Sequence, residues 1–167
     1  MHHREVSLIE SSENRLALDG RWDIEIGFWI EMALTHMNWN LMPYQYQKMA
    51  TAGLDYTFGI GNGLYCQAEH FIFQVSEKWD SSGTSRQLTA VSMNYPVGLF
   101  DNLSAIIYHD WDERDWYRFV NWQRSYNAWQ INLIGFWNPD QFQPIQFRTD
   151  QSLWMGKGIQ CMVVFNH

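Results

Sequence analysis

The residues of this chain best able to do chemistry are its histidines, serines and carboxylates, and their spacing argues against catalysis. Side chains on one face of a strand are two apart, so a Ser-His pair there requires His-x-Ser, and none of the six histidines has serine at that spacing. Glu69 and His70 are adjacent, which on a strand sends them to opposite faces and separates acid from base. The densest polar cluster, HDWDERD at 109–115, gathers Asp110, Asp112, Glu113 and Asp115 around a turn. Carboxylate oxygens suit Ca²⁺, but the glycine and closing glutamate of an EF-hand loop are absent, and the cluster reads as a solvated turn. No Cys/His metal spacing occurs; Cys66 and Cys161 stand far apart without a CxxC and read as small apolar residues. GIGNG at 59–63 lacks the Lys-Ser/Thr and the helix of a phosphate loop. The sequence therefore points to a protein that is not an enzyme, with no metal and no cofactor.

What remains is a set of polar residues in phase with one another. In RWDIEIGFWIEMAL, residues 21–34, Trp22, Ile24, Ile26, Phe28, Ile30, Met32 and Leu34 form one face of a strand, and Asp23, Glu25 and Glu31 lie on the other. As one strand the apolar face runs roughly 40 Å, or roughly 29 Å when tilted by about 45°, which matches a hydrocarbon core about 30 Å thick. YQKMATAGLDYTF repeats the pattern, with Asp55 opposite the face of Leu54 and Tyr56, and AWQINLIGFW sets Trp129, Ile131, Leu133 and Trp137 against Gln130 and Asn132. Glu69 and Arg118 complete the polar set. Arg118 shares a phase with Trp116, Val120 and Trp122; because a lipid-facing Arg at the membrane midplane costs about 2–4 kcal/mol, the sequence argues for Arg118 inward and Tyr117 and Phe119 outward.

These residues need long strands to hold them, and the composition agrees. The 167 residues suffice for one domain, read here as an N-terminal tail over 1–14 and an all-β domain over 15–167. Only 17% of residues are charged while 17% are aromatic, ten of them Trp. Mean hydropathy is −0.37 and no apolar run is long enough for a membrane helix. A transmembrane barrel escapes that test because its two faces alternate. The net charge of −7 with eleven scattered Lys and Arg argues against nucleic acid as a partner. Turn signals divide the chain into eight strands with no convincing helix, the last at 158–166, and Trp111, Trp116, Trp122, Trp129 and Trp137 fall near strand ends, as in an aromatic girdle.

GLDYTFGIGNGLY, DWYRFVNWQRSY, IGFWNP and the ending GKGIQCMVVFNH together resemble a Gram-negative outer-membrane β-barrel protein, porin-like in style, over residues 16–167. The resemblance implies an antiparallel up-and-down transmembrane β-barrel in the outer membrane, acting in passive transport or as a structural membrane barrel. It also implies two partners: the lipid bilayer, and the barrel-assembly machinery through a C-terminal strand signal that Gly158, Cys161, Val163 and Phe165 match. Asn166 and His167 depart from that signal by following the aromatic. MHHREVSLIESSEN has no apolar signal segment, which suggests the C-terminal portion of a longer barrel. On this reading Asp23, Glu25, Glu31, Asp55, Glu69, Arg118, Gln130 and Asn132 line a lumen, and the apolar set from Trp22 to Leu34 with Trp129, Ile131, Leu133 and Trp137 meets lipid. The alternative is a soluble lipocalin-like barrel whose apolar face points inward around a small hydrophobic ligand.

Overall fold

A computed structural model describes residues 12–38, 44–140 and 154–165. They form nine strands: β1 (Ser12–Asp23), β2 (Gly27–Asn38), β3 (Tyr46–Phe58), β4 (Leu64–Ser76), β5 (Thr84–Pro96), β6 (Asp101–Asp110), β7 (Asp115–Ser125), β8 (Trp129–Trp137) and β9 (Lys157–Phe165). Each pairs antiparallel with the next, in the order β1 to β9, in a single up-and-down sheet that does not close. Strand lengths run from 9 to 13 residues, well beyond the five or six of an ordinary soluble strand.

The first difference from the sequence reading is the strand count, nine rather than eight. RWDIEIGFWIEMAL is not one strand: Asp23 pairs with Gly27, and Ile24, Glu25 and Ile26 form a turn between β1 and β2. The alternation could not reveal this. A three-residue turn joins partners of equal parity, so Trp22 opposes Phe28 and Leu18 opposes Met32, and even-numbered residues stay on one face on both sides of the turn. The 40 Å span is therefore two paired strands, and β1 begins at Ser12, three residues inside the stretch 1–14 expected as a tail.

The connections sort into two rims. Turns 24–26, 59–63, 97–100 and 126–128 lie at one end of the sheet; at the other lie turns 77–83 and 111–114 and the strand ends Asn38, Tyr46, Trp137 and Lys157, the last two separated by the longest connection in the sequence. The first set is short. Gly61 and Gly63, with φ of 57° and 98°, supply the left-handed conformations that reverse the chain between β3 and β4. At the long-connection rim, Asp110 Oδ1 accepts the N–H groups of Asp112 and Glu113 at 3.0 and 3.2 Å, and Arg114 takes a φ of 60°. The HDWDERD carboxylates thus cap and brace a turn, with Asp110 buried beside Arg86 at 3.6 Å.

The register carries one face across all nine strands. Leu18, Met32, Ala50, Ile72, Val91, Ile107, Val120, Leu133 and Cys161 belong to the first face, and Asp19, Glu31, Thr51, Phe71, Ala90, Tyr108, Phe119, Asn132 and Met162 to the second. Burial is inverted relative to a soluble sheet. Among the described residues the three buried large apolar side chains, Trp29 (9% exposed), Tyr117 (9%) and Phe136 (7%), all lie on the second face. The exposed large apolar side chains of the strands, from Leu18 (65%) to Ile159 (79%), lie on the first face, with Met162 the exception.

Arg118 corrects a second expectation. It lies on the first face, opposite Ile107 and Trp137 and beside Trp116, Val120 and Trp122. Tyr117 and Phe119 are on the second face, where Phe119 meets the edge of Trp154 at 5.9 Å. The cost that favoured an inward Arg applies to a midplane position, and Arg118 stands three residues from Asp115 at the end of β7.

Candidate functional site

The second face carries the charge. Among the strands, Glu13, Asp19, Asp23, Glu31, Asp55, Glu69, Asp110 and Asp115 share it, whereas Asp101 is the one strand carboxylate on the first face. The cations divide the other way: Arg15, Arg21 and Arg86 lie on the second face, and Lys48, Arg118, Arg124 and Lys157 on the first.

The acidic residues gather on β1 to β4. Asp19, Arg21, Trp29, Glu31, Asp55, Tyr65, Gln67 and Glu69 line a hollow of about 400 Å³, four carboxylates against one guanidinium. Arg21 Nη2 donates to Asp55 Oδ2 at 3.2 Å, and its Nε donates to Asp23 Oδ1 at 3.0 Å. Beside that pair runs a ladder along β4, in which the Tyr65 hydroxyl donates to Gln67 Oε1 at 3.1 Å and Gln67 Nε2 donates to Glu69 Oε1 at 2.8 Å. Gly53 is what admits Trp29 to the floor of this hollow, since a Cβ on Gly53 would fall within the indole.

Of the residues expected to line a lumen, Glu31, Asp55 and Glu69 thus meet in one hollow, with Asp23 at its rim beside Arg21. Gln130 and Asn132 are on the same face but on β8, bonded to each other at 3.4 Å. Glu25 is in the β1–β2 turn, and Arg118 is on the opposite face. Trp22, Phe28, Ile30, Met32, Leu34, Trp129, Ile131, Leu133 and Trp137 all share the first face, while Ile24 and Ile26 are in the turn. Asp19 and Tyr65 were not singled out by sequence; Asp19 is in phase with Arg21 and Glu31, and Tyr65 with Gln67 and Glu69, so the alternation held that signal. On the β6–β8 side the second face is less charged, and Asn121 Oδ1 and Asn132 Nδ2 are buried without a protein partner among the described residues.

No known protein family, curated protein or solved structure matches this chain. Function must be read from the geometry itself.

The two rims of the first face are aromatic. Trp22 and Phe28 stack at 5.8 Å, Tyr56 meets Phe58 at 4.8 Å, and Trp129 meets Phe165 at 4.6 Å at the short-turn rim. At the other rim His36 stacks on Tyr46 at 4.6 Å, Lys48 Nζ sits 5.1 Å from the Trp79 ring, and His109 stacks on Trp116 at 4.3 Å. Trp111 Nε1 donates to Thr89 Oγ1 at 2.8 Å, with His70 Nδ1 2.9 Å from the same oxygen. Between these belts the first face is aliphatic. Cys66 and Cys161 are both on it and free.

Proposed function

We propose that this chain forms part of a transmembrane β-barrel of an outer membrane, and that its acidic inner face lines a path for cations or small neutral solutes. The observation that carries the reading is the inversion of burial: apolar side chains exposed on one face between two aromatic belts, polar and charged side chains gathered on the other. Water penalises a contiguous exposed apolar band, which soluble monomers rarely carry beyond a few hundred Å², and a bilayer rewards it. Strands of 9 to 13 residues suit a hydrocarbon core crossed by tilted strands of about 9–11 residues, and short turns at one rim with longer connections at the other fit the usual asymmetry of such barrels. A lipocalin-like barrel would need Phe28 and Met32 around an internal cavity; their exposure of 40% and 45% supports the membrane reading over that one. The excess of carboxylates in the hollow concentrates cations and repels anions.

Reconstitution of the full chain from detergent into planar bilayers tests both parts. The expected result is cation-selective conductance that falls when Glu31, Asp55 and Glu69 are replaced by Gln. Silence from a verified, inserted protein removes the channel and leaves a structural barrel. Monodisperse protein in detergent-free buffer with two-state unfolding removes the membrane reading altogether.

A further inference from the structure

The outward charge differs between the two rims. At the short-turn rim Arg124 lies 3.5 Å from Asp101, and Trp122 Nε1 donates to the same carboxylate at 3.2 Å, so that cation is neutralised within the protein. At the long-connection rim Arg118 on β7, Trp137 on β8 and Lys157 on β9 stand directly opposite one another in a row. Among the described residues no carboxylate pairs with Arg118 or Lys157. All three side chains are exposed, and the Arg118 guanidinium lies 5.8 Å from the Trp116 ring.

The row is held in place. Asn138, buried just beyond it, accepts the Arg118 backbone N–H at 3.0 Å and donates from Nδ2 to the Trp154 carbonyl at 2.7 Å. Its own N–H donates to the Gly156 carbonyl at 2.7 Å. One side chain and its backbone therefore fix the ends of β7, β8 and β9 together. Directly opposed residues lie about 5 Å apart across each strand pair, which sets the two cations roughly 10 Å apart with an indole between them.

We infer that this row binds the phosphate of an anionic lipid headgroup in the leaflet at the long-connection rim. The inference rests on the membrane reading above. Elsewhere on the strands Arg15, Arg21, Arg86 and Arg124 have carboxylate partners and Lys48 donates to the Trp79 carbonyl; Arg118 and Lys157 have no such carboxylate among the described residues, and the outward face at the rim is where headgroups would lie. Arg118 offers a planar fork to two phosphate oxygens, Lys157 a second positive charge, and Trp137 an amphipathic ring suited to the interface between them.

The test uses the full chain in phosphatidylcholine vesicles with and without phosphatidic acid, with retained lipid counted by native mass spectrometry after detergent release. The wild-type protein should retain phosphatidic acid in preference to phosphatidylcholine. The double variant Arg118→Gln/Lys157→Gln should lose about twenty-five-fold in apparent affinity, at about one factor of five per cation. Lys157→Gln alone, at an exposed position on the last strand, should lose part of it, and Arg124→Gln none. Equal retention by wild type and double variant overturns the site. Displacement of the lipid by millimolar inorganic phosphate overturns the lipid assignment in favour of a soluble anion. Failure to enter phosphatidylcholine vesicles overturns the membrane reading and this site with it, whereas entry without lipid preference overturns the site alone.

Discussion

At the scale of single residues, space on the second face is set by glycine. Trp29 lies across Gly53 and Phe136 across Gly158, each aromatic covering the glycine directly opposite it on the next strand. Gly53→Val should therefore displace Trp29 and destabilise the folded protein by about 1–3 kcal/mol, read as a lowered denaturant midpoint in lipid vesicles. Unchanged stability would mean that the indole has room to move. The faces make a second residue-level prediction. Met32, midway along β2 on the first face, should cost about 2–4 kcal/mol when replaced by Arg, while Glu31→Gln next to it should be far milder. Equal effects in a refolding titration would contradict the assignment of the two faces. Phase alone placed Met32 and Glu31 on opposite sides, and the register keeps them there. Arg118 was legible in phase but not in direction: its neighbours Trp116, Val120 and Trp122 marked an apolar face, yet how near it stands to the rim of the sheet depends on where the 111–114 turn falls in three dimensions.

At the scale of elements, β3 illustrates what alternation can give. The alternation in YQKMATAGLDYTF predicts a strand with Ala50, Ala52, Leu54, Tyr56 and Phe58 on one side, and Tyr46–Phe58 is that strand. The β1–β2 hairpin was invisible because its odd-length turn preserves phase and carries Ile24 and Ile26, which continue the apolar pattern. The acidic hollow was legible in residue type and phase, but not in position. Adjacency of β1 to β4 follows from the meander, whereas Gln130 and Asn132 are carried away on β8. Asn138 belongs to this scale too, because its bonds join three strand ends. Asn138→Ala removes one acceptor and one donor at a buried site, which should cost about 1–3 kcal/mol, and the loss should be local. Hydrogen exchange should accelerate in Lys157–Phe165 before it does in β3 or β4. Uniform acceleration across the sheet would show that Asn138 supports the whole fold rather than its last strands.

At the scale of the molecule, the two edges of the sheet define what can complete it. Nine strands joined antiparallel place β1 and β9 in the same direction, both running from the long-connection rim to the short-turn rim. An unpaired edge in hydrocarbon leaves backbone N–H and C=O groups without partners at several kcal/mol each, so a membrane-inserted form must pair both edges. Pairing β1 directly with β9, within one chain or between copies arranged around a common axis, would make a parallel seam, which is slightly weaker per residue. An antiparallel seam on both sides instead requires an odd number of further strands, for an even total, each with apolar and polar faces in the same sense. The expected closure is the antiparallel one, and disulfide trapping tests it in a background carrying Cys66→Ser and Cys161→Ser. Ala17→Cys on β1 with Ala33→Cys on β2, directly opposed, should cross-link readily and serves as the reference. Ala17→Cys combined in turn with Gln160→Cys, Met162→Cys or Val164→Cys on the same face of β9 should not cross-link in the inserted protein, because a strand stands between the two edges. An efficient β1–β9 cross-link within one chain would establish a nine-stranded barrel with a parallel seam, and the same cross-link between two chains would establish closure by a second copy; either result overturns the even-stranded barrel.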